Sequence, residues 1–80
     1  MNGKDIINKV MTLRGMSQQT LSEKLGYKHQ SGVSERLRNK QDLRADTLAK
    51  FLAEMDCSLV VRSNLKDKTE WVIDGREGEQ

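Results

Sequence analysis

The chain has 80 residues, 35% hydrophobic and 32% charged, which describes one domain with a small core and modest stability. One cysteine and one histidine exclude an internal disulfide and a zinc site, and no run approaches the ~18 consecutive apolar residues of a membrane span. Net charge is only +2, but residues 1–44 carry nine Lys or Arg against four acids while residues 45–80 carry five against eight, so only the N-terminal half suits an anionic surface.

The opening Met-Asn-Gly-Lys-Asp leads into no apolar signal core, and a cytoplasmic location is expected. Asn2 is placed to cap a first helix, with Asp5 in the first turn, where a carboxylate favours the positive end of the helix dipole. Ile6, Val10 and Leu13 recur at helical spacing with Ile7 beside them, and Gly15 ends the helix. Ser17 caps a second helix, and Met16 before it can pack on Leu21. Leu21 and Leu25 share a face, and Gly26 follows at once. Two turns of helix are not stable alone, so neighbours must hold them.

A third helix is expected over about 30–38, with Val33 and Leu37 on its buried side and Leu43 plugging the core from the loop beyond. A fourth spans about 45–55, with Asp46 in its first turn, Leu48, Leu52 and Met55 inward, and Phe51 close to that stripe. The period then shortens to two. Residues 57–62 read as a strand with Cys57 packed in it, 64–67 as a turn and 69–73 as a second strand. The expected layout is mainly α: residues 1–56 form a helical domain, 57–74 a β-hairpin and 75–80 a flexible tail.

Two short helices joined by a tight turn after a glycine make a helix-turn-helix, here at about 17–40. The first helix needs small or polar outward residues to cross a phosphate backbone, while its leucines grip the second. The second buries Val33 and Leu37 and turns Gln30, Ser31, Ser34, Glu35 and Arg38 outward, side chains suited to reading donors and acceptors in a major groove. Glu35 is the least suited of these near phosphates, though it can read cytosine N4 or pair with a nearby cation. Lys28, Arg38 and Lys40 flank the motif where they can neutralise phosphates, and His29 lies in the turn that abuts the groove. Tyr27 and Trp71 are too isolated to form a stacking platform for single-stranded bases, and Trp71 reads as packing the hairpin. No Ser-His-Asp constellation, Walker-type loop or carboxylate cluster stands out, so no catalysis, cofactor or metal is expected.

The stretch Ser17-Gln18-Gln19-Thr20-Leu21-Ser22-Glu23-Lys24-Leu25-Gly26, followed by Gln30-Ser31-Gly32-Val33, resembles the lambda repressor and Cro-like helix-turn-helix family of phage and bacterial regulators, over about residues 3–56. The resemblance implies a four-helix, lambda-repressor-like DNA-binding domain, with the hairpin as a C-terminal extension like that of some small bacterial members. It implies that Gln18 touches phosphate and braces the recognition helix, that Gln30 reads adenine, and that Ser31 and Ser34 face bases or phosphates. It places Asn39 and Lys40 at further phosphate contacts. The turn between Gly26 and Gln30 is one residue longer than the commonest family pattern, and Val33 to Leu37 is a four-residue step where three is more usual.

One motif reads half a site, so a homodimer on a palindromic operator is expected, with half-sites about one helical turn apart. The hairpin is the expected interface, because two strands alone are marginal and carry open edges. Leu59, Val60, Val61, Trp71, Val72 and Ile73 give both of its faces apolar side chains. The expected function is sequence-specific binding of double-stranded DNA by a transcriptional regulator, a repressor of phage or mobile-element type. Two other readings stay open: an antitoxin, which adds a toxin partner to the same core, and a protein-interaction module that has lost DNA binding, which the modest net charge favours.

Overall fold

The computed structural model describes residues 1–29 and 31–75. Four helices come first, α1 (Gly3–Arg14), α2 (Gln18–Leu25), α3 (Ser31–Arg38) and α4 (Ala45–Ala53). A two-stranded antiparallel hairpin follows, β1 (Leu59–Arg62) and β2 (Glu70–Ile73). This is the mainly α layout with a C-terminal hairpin that the sequence predicts.

Local chemistry sets the helix starts. Asn2 and Asp5 make a reciprocal capping box, the Asp5 N–H donating to Asn2 Oδ1 at 2.9 Å and the Asn2 N–H to Asp5 Oδ2 at 3.3 Å. Ser17 Oγ accepts the Thr20 N–H at 3.1 Å and caps α2. Gly26 ends α2 with φ of 79°, a left-handed conformation that costs a residue with a Cβ about 1–2 kcal/mol.

One cluster joins all four helices: Ile7, Met11, Leu21, Val33, Leu48, Phe51, Leu52 and Met55. Met16, Leu25, Leu37 and Leu43 pack against it half-buried. Burying each large side chain is worth about 1.5–3 kcal/mol, which is what makes the two-turn helices α2 and α3 persist. Two details of the predicted core change. Ile7 and Met11 are the buried pair of α1, Ile6 and Val10 only flank them, and Leu13 is 75% exposed. Six residues beyond Ile7 lies about 120° round the helix, away from the core. Phe51 is fully buried with the central stripe of α4 rather than beside it.

Helix α4 ends at Ala53, two residues before the expected end, although Met55 remains buried. Asp56 takes φ of 58°, which lets the Cys57 N–H reach back to the Leu52 carbonyl at 2.9 Å and turns the chain toward β1. Cys57 therefore precedes the strand, half-buried, instead of lying in it. The hairpin pairs Leu59 with Ile73, Val60 with Val72, Val61 with Trp71 and Arg62 with Glu70. Its loop is held by Asp67, which accepts Ser63 Oγ at 2.7 Å and Thr69 Oγ1 at 2.8 Å. Those two hydroxyls, Ser63 first, hold the Asp67 carboxyl below its usual range.

Leu59 packs on the helical core. Trp71 lies across the ladder from Val61 and is 56% exposed. Beyond β2 the backbone returns to α4, where a Cβ on Gly75 would fall 2.2 Å from the Ala49 carbonyl oxygen. Of the expected tail, residues 76–80 lie outside the described part of the chain.

Candidate nucleic-acid interface

The contacts between α2 and α3 decide which side chains α3 presents. Leu21 and Val33 are both fully buried between them. Ser22, buried beside Leu21, accepts the Val33 N–H at 3.2 Å, so a donor left over in the first turn of α3 is satisfied from α2. Tyr27, in the turn, stands edge-on to Phe51 with ring centres 6.3 Å apart. Its ring also lies where a side chain on Gly32 would be, since a Cβ there would meet Tyr27 Cδ2 at 2.5 Å. Arg36 lies 4.3 Å from the centre of the same ring and donates to the Gly32 carbonyl at 3.0 Å. Burial pushes the Tyr27 hydroxyl's pKa up, with the Arg36 charge opposing.

This wedge was not anticipated from sequence, although signals for it exist. Ser22 interrupts the apolar face between Leu21 and Leu25, and an isolated glycine inside a helical pattern marks close packing. The pairing of Tyr27 with Arg36, nine positions on, leaves no periodic trace.

With α3 held this way, Ser31, Ser34, Glu35 and Arg38 fall at helical spacing on one face. Glu35 and Arg38 are exposed, and the two serines are half-buried. Ser31 Oγ donates to Glu35 Oε1 at 3.3 Å and Ser34 Oγ to the Ser31 carbonyl at 3.0 Å, so the face carries an internally bonded polar row. Gln30, expected at the head of this face, lies outside the described residues.

Gln18, Lys28, His29, Asn39 and Lys40 are all exposed. Gln18 is the first residue of α2. Helices α1 and α4 carry an acid in the first turn, Asp5 and Asp46, whereas α2 and α3 carry none. Among the described residues Lys28, Arg38 and Lys40 make no ion pair; the exposed pair present is Arg44 with Asp46 at 3.5 Å.

The segment after α3 is anchored to the start of α1. Asp42 accepts the Gly3 N–H at 2.8 Å and the Lys4 N–H at 3.1 Å, while the Lys4 ammonium donates to the Asn39 carbonyl. The N–H of Gly3, then that of Leu43, holds the Asp42 carboxyl below its usual range, with Lys4 adding to the effect. Asn39 and Lys40 are therefore carried on a braced loop. At the far end, Val60, Val61, Trp71, Val72 and Ile73 are exposed and Leu59 is half-buried.

A family model described as a helix-turn-helix matches residues 7–61, from the second turn of α1 into β1. No curated protein and no solved structure matches the chain significantly.

Proposed function

Since the chain belongs to the helix-turn-helix family of DNA-binding transcription regulators, which are not enzymes, we propose that it is a repressor of phage or mobile-element type acting as a homodimer on a palindromic operator. The observation that carries this reading is the α3 face. Ser31, Ser34, Glu35 and Arg38 line the side of α3 opposite the buried Val33, with Glu35 and Arg38 exposed, between two helix starts free of acids. Residues 1–56 read the DNA and 57–74 join the copies. Gln30, Ser31, Ser34, Glu35 and Arg38 meet base edges; Gln18, Lys28, His29, Asn39 and Lys40 meet phosphates. Repression needs only occupancy of the operator, which is why it is preferred to activation. Among the described residues no helix is long and apolar enough to cross a membrane.

Selection from random duplex DNA at low salt tests the reading. The expected product is two half-sites related by a dyad, about one helical turn apart. No enrichment of any duplex would overturn DNA reading and favour a protein-interaction module. On the selected site, Gln30→Ala should cost about 1–3 kcal/mol and relax preference at one base pair. Lys40→Ala should weaken all sequences alike and lower the salt slope by about 1.

A further inference from the structure

The hairpin's hydrogen-bond pattern specifies what can lie along its free edge. The Ser63 N–H donates to the Thr69 carbonyl at 2.8 Å, so these two residues are a hydrogen-bonded pair. Alternation along the ladder makes Val61–Trp71 and Leu59–Ile73 hydrogen-bonded pairs as well. The backbone N–H and C=O groups of Glu70 and Val72 then point outward from β2, and those of Val60 and Arg62 outward from β1. The two edges differ. Strand β1 starts on the core: Leu59 packs against it, and Arg14 of α1 reaches the neighbouring Cys57 Sγ at 3.8 Å. Strand β2 is exposed at all four positions, Val72 by 61%.

We propose that β2 pairs antiparallel with β2 of a second copy, with Trp71 on the two-fold axis, to give a four-stranded sheet. The proposal rests on the homodimer reading above and says how that dimer is built. The edge is self-complementary. With Trp71 on the axis, Glu70 of each copy faces Val72 of the other, and the outward N–H and C=O groups of both residues find partners across the axis. Trp71, whose own backbone groups face β1, becomes the non-hydrogen-bonded pair, in which opposite side chains approach most closely. The two indole rings then meet between the two Val61 side chains on one face and cover apolar surface that a single copy leaves open.

Charge selects this register. Centring the pair on Val72 would set Glu70 against Asp74 of the second copy at both ends, acid against acid. Centring it on Trp71 sets Glu70 against the uncharged Val72 instead. A two-fold axis perpendicular to the sheet also keeps each face common to both copies. The two helical units, each packed under the Leu59 face, lie on the same side of the sheet, as contact with one duplex requires.

Proline substitution tests the edge. Val72→Pro removes an N–H that a single copy does not use in its ladder, at an edge position where proline is tolerated, and Val60→Pro does the same on β1. Sedimentation of the full chain at high micromolar concentration should give dimers for the wild type and Val60→Pro and monomers for Val72→Pro, with helical circular dichroism unchanged. A second measurement needs no proline. Chains carrying Cys57→Ser with either Glu70→Cys or Val72→Cys are mixed and oxidised, and the disulfide should join unlike chains in preference to like ones. If the wild type is dimeric but only Val60→Pro dissociates it, or unlike chains fail to cross-link, the β2 pairing is overturned while the dimer stands. A monomeric wild type overturns both.

Discussion

The α2–α3 motif and the hairpin are each too short to be stable alone, and they meet that problem in opposite ways. The motif is tied inward at every turn: Leu21 and Val33 are fully buried, Ser22 satisfies the Val33 N–H, and Tyr27 is wedged under Gly32. The hairpin is held by its own ladder and by Asp67 in its loop, and it leaves Val60, Val61, Trp71 and Val72 open. On the proposed reading, holding α3 in place before DNA arrives avoids an ordering cost on binding. Under the proposed homodimer the hairpin is the surface that must stay accessible to another copy, and its exposed apolar side chains fit that role.

The strongest way to break this contrast is to remove what both regions lean on. Phe51→Ala deletes a fully buried ring that also stands against Tyr27. It should cost about 3–5 kcal/mol in urea unfolding and loosen motif and hairpin together. Gly32→Ala acts on the motif alone. Its new methyl must displace the Tyr27 ring, so stability should fall by about 1–3 kcal/mol and affinity for the selected site should fall with it. Adding Tyr27→Ala should recover part of the loss, a non-additivity that a double-mutant cycle measures. Ser22→Ala leaves the Val33 N–H buried without its partner and should cost about 1–2 kcal/mol.

Acid sharpens the comparison, because an exposed carboxylate is held below its usual range on each side of it, Asp42 in the segment that ties the end of α3 to α1 and Asp67 in the hairpin loop. A carboxyl whose folded pKa is depressed contributes stability that is complete above its unfolded value, near 3.8, and is lost as pH falls through the lowered folded value. Asp42→Asn should flatten the acid loss of helical circular dichroism. Asp67→Asn should instead flatten the acid change in Trp71 fluorescence. Equal effects on both signals would mean that the two regions unfold as one unit. The smallest effect is expected from Val72→Ser. At concentrations where the chain is monomeric, its stability should stay within about 0.5 kcal/mol of wild type by urea titration.

Much of this architecture is legible in the residues themselves. Asn2 with Asp5, Ser17 and Gly26 mark helix ends whose hydrogen bonds close within a few positions, and the structure places those ends where the sequence does. The exposure of Gln18, Glu35 and Arg38 follows from helical period alone, because a polar face needs no partner to be polar, and Lys28 and Lys40 lie exposed in the segments that flank α3. The face of α1 is different. Ile6, Ile7, Val10, Met11 and Leu13 offer overlapping stripes, and packing against α4 chooses Ile7 and Met11. Trp71 reads as packing the hairpin, and how much of it stays open, 56%, was not legible in the sequence.

The order of elements, the caps that start α1 and α2, the glycine that ends α2 and the polar face of α3 can all be read from the residues, since each depends on groups a few positions apart. How α3 is held and what the hairpin leaves uncovered come from packing between elements. Those outcomes depend on Ser22 against Val33, on Tyr27 against Gly32, Arg36 and Phe51, and on Gly75 against Ala49. Such contacts join elements whose relative placement is set by filling one small core, and no local preference encodes that.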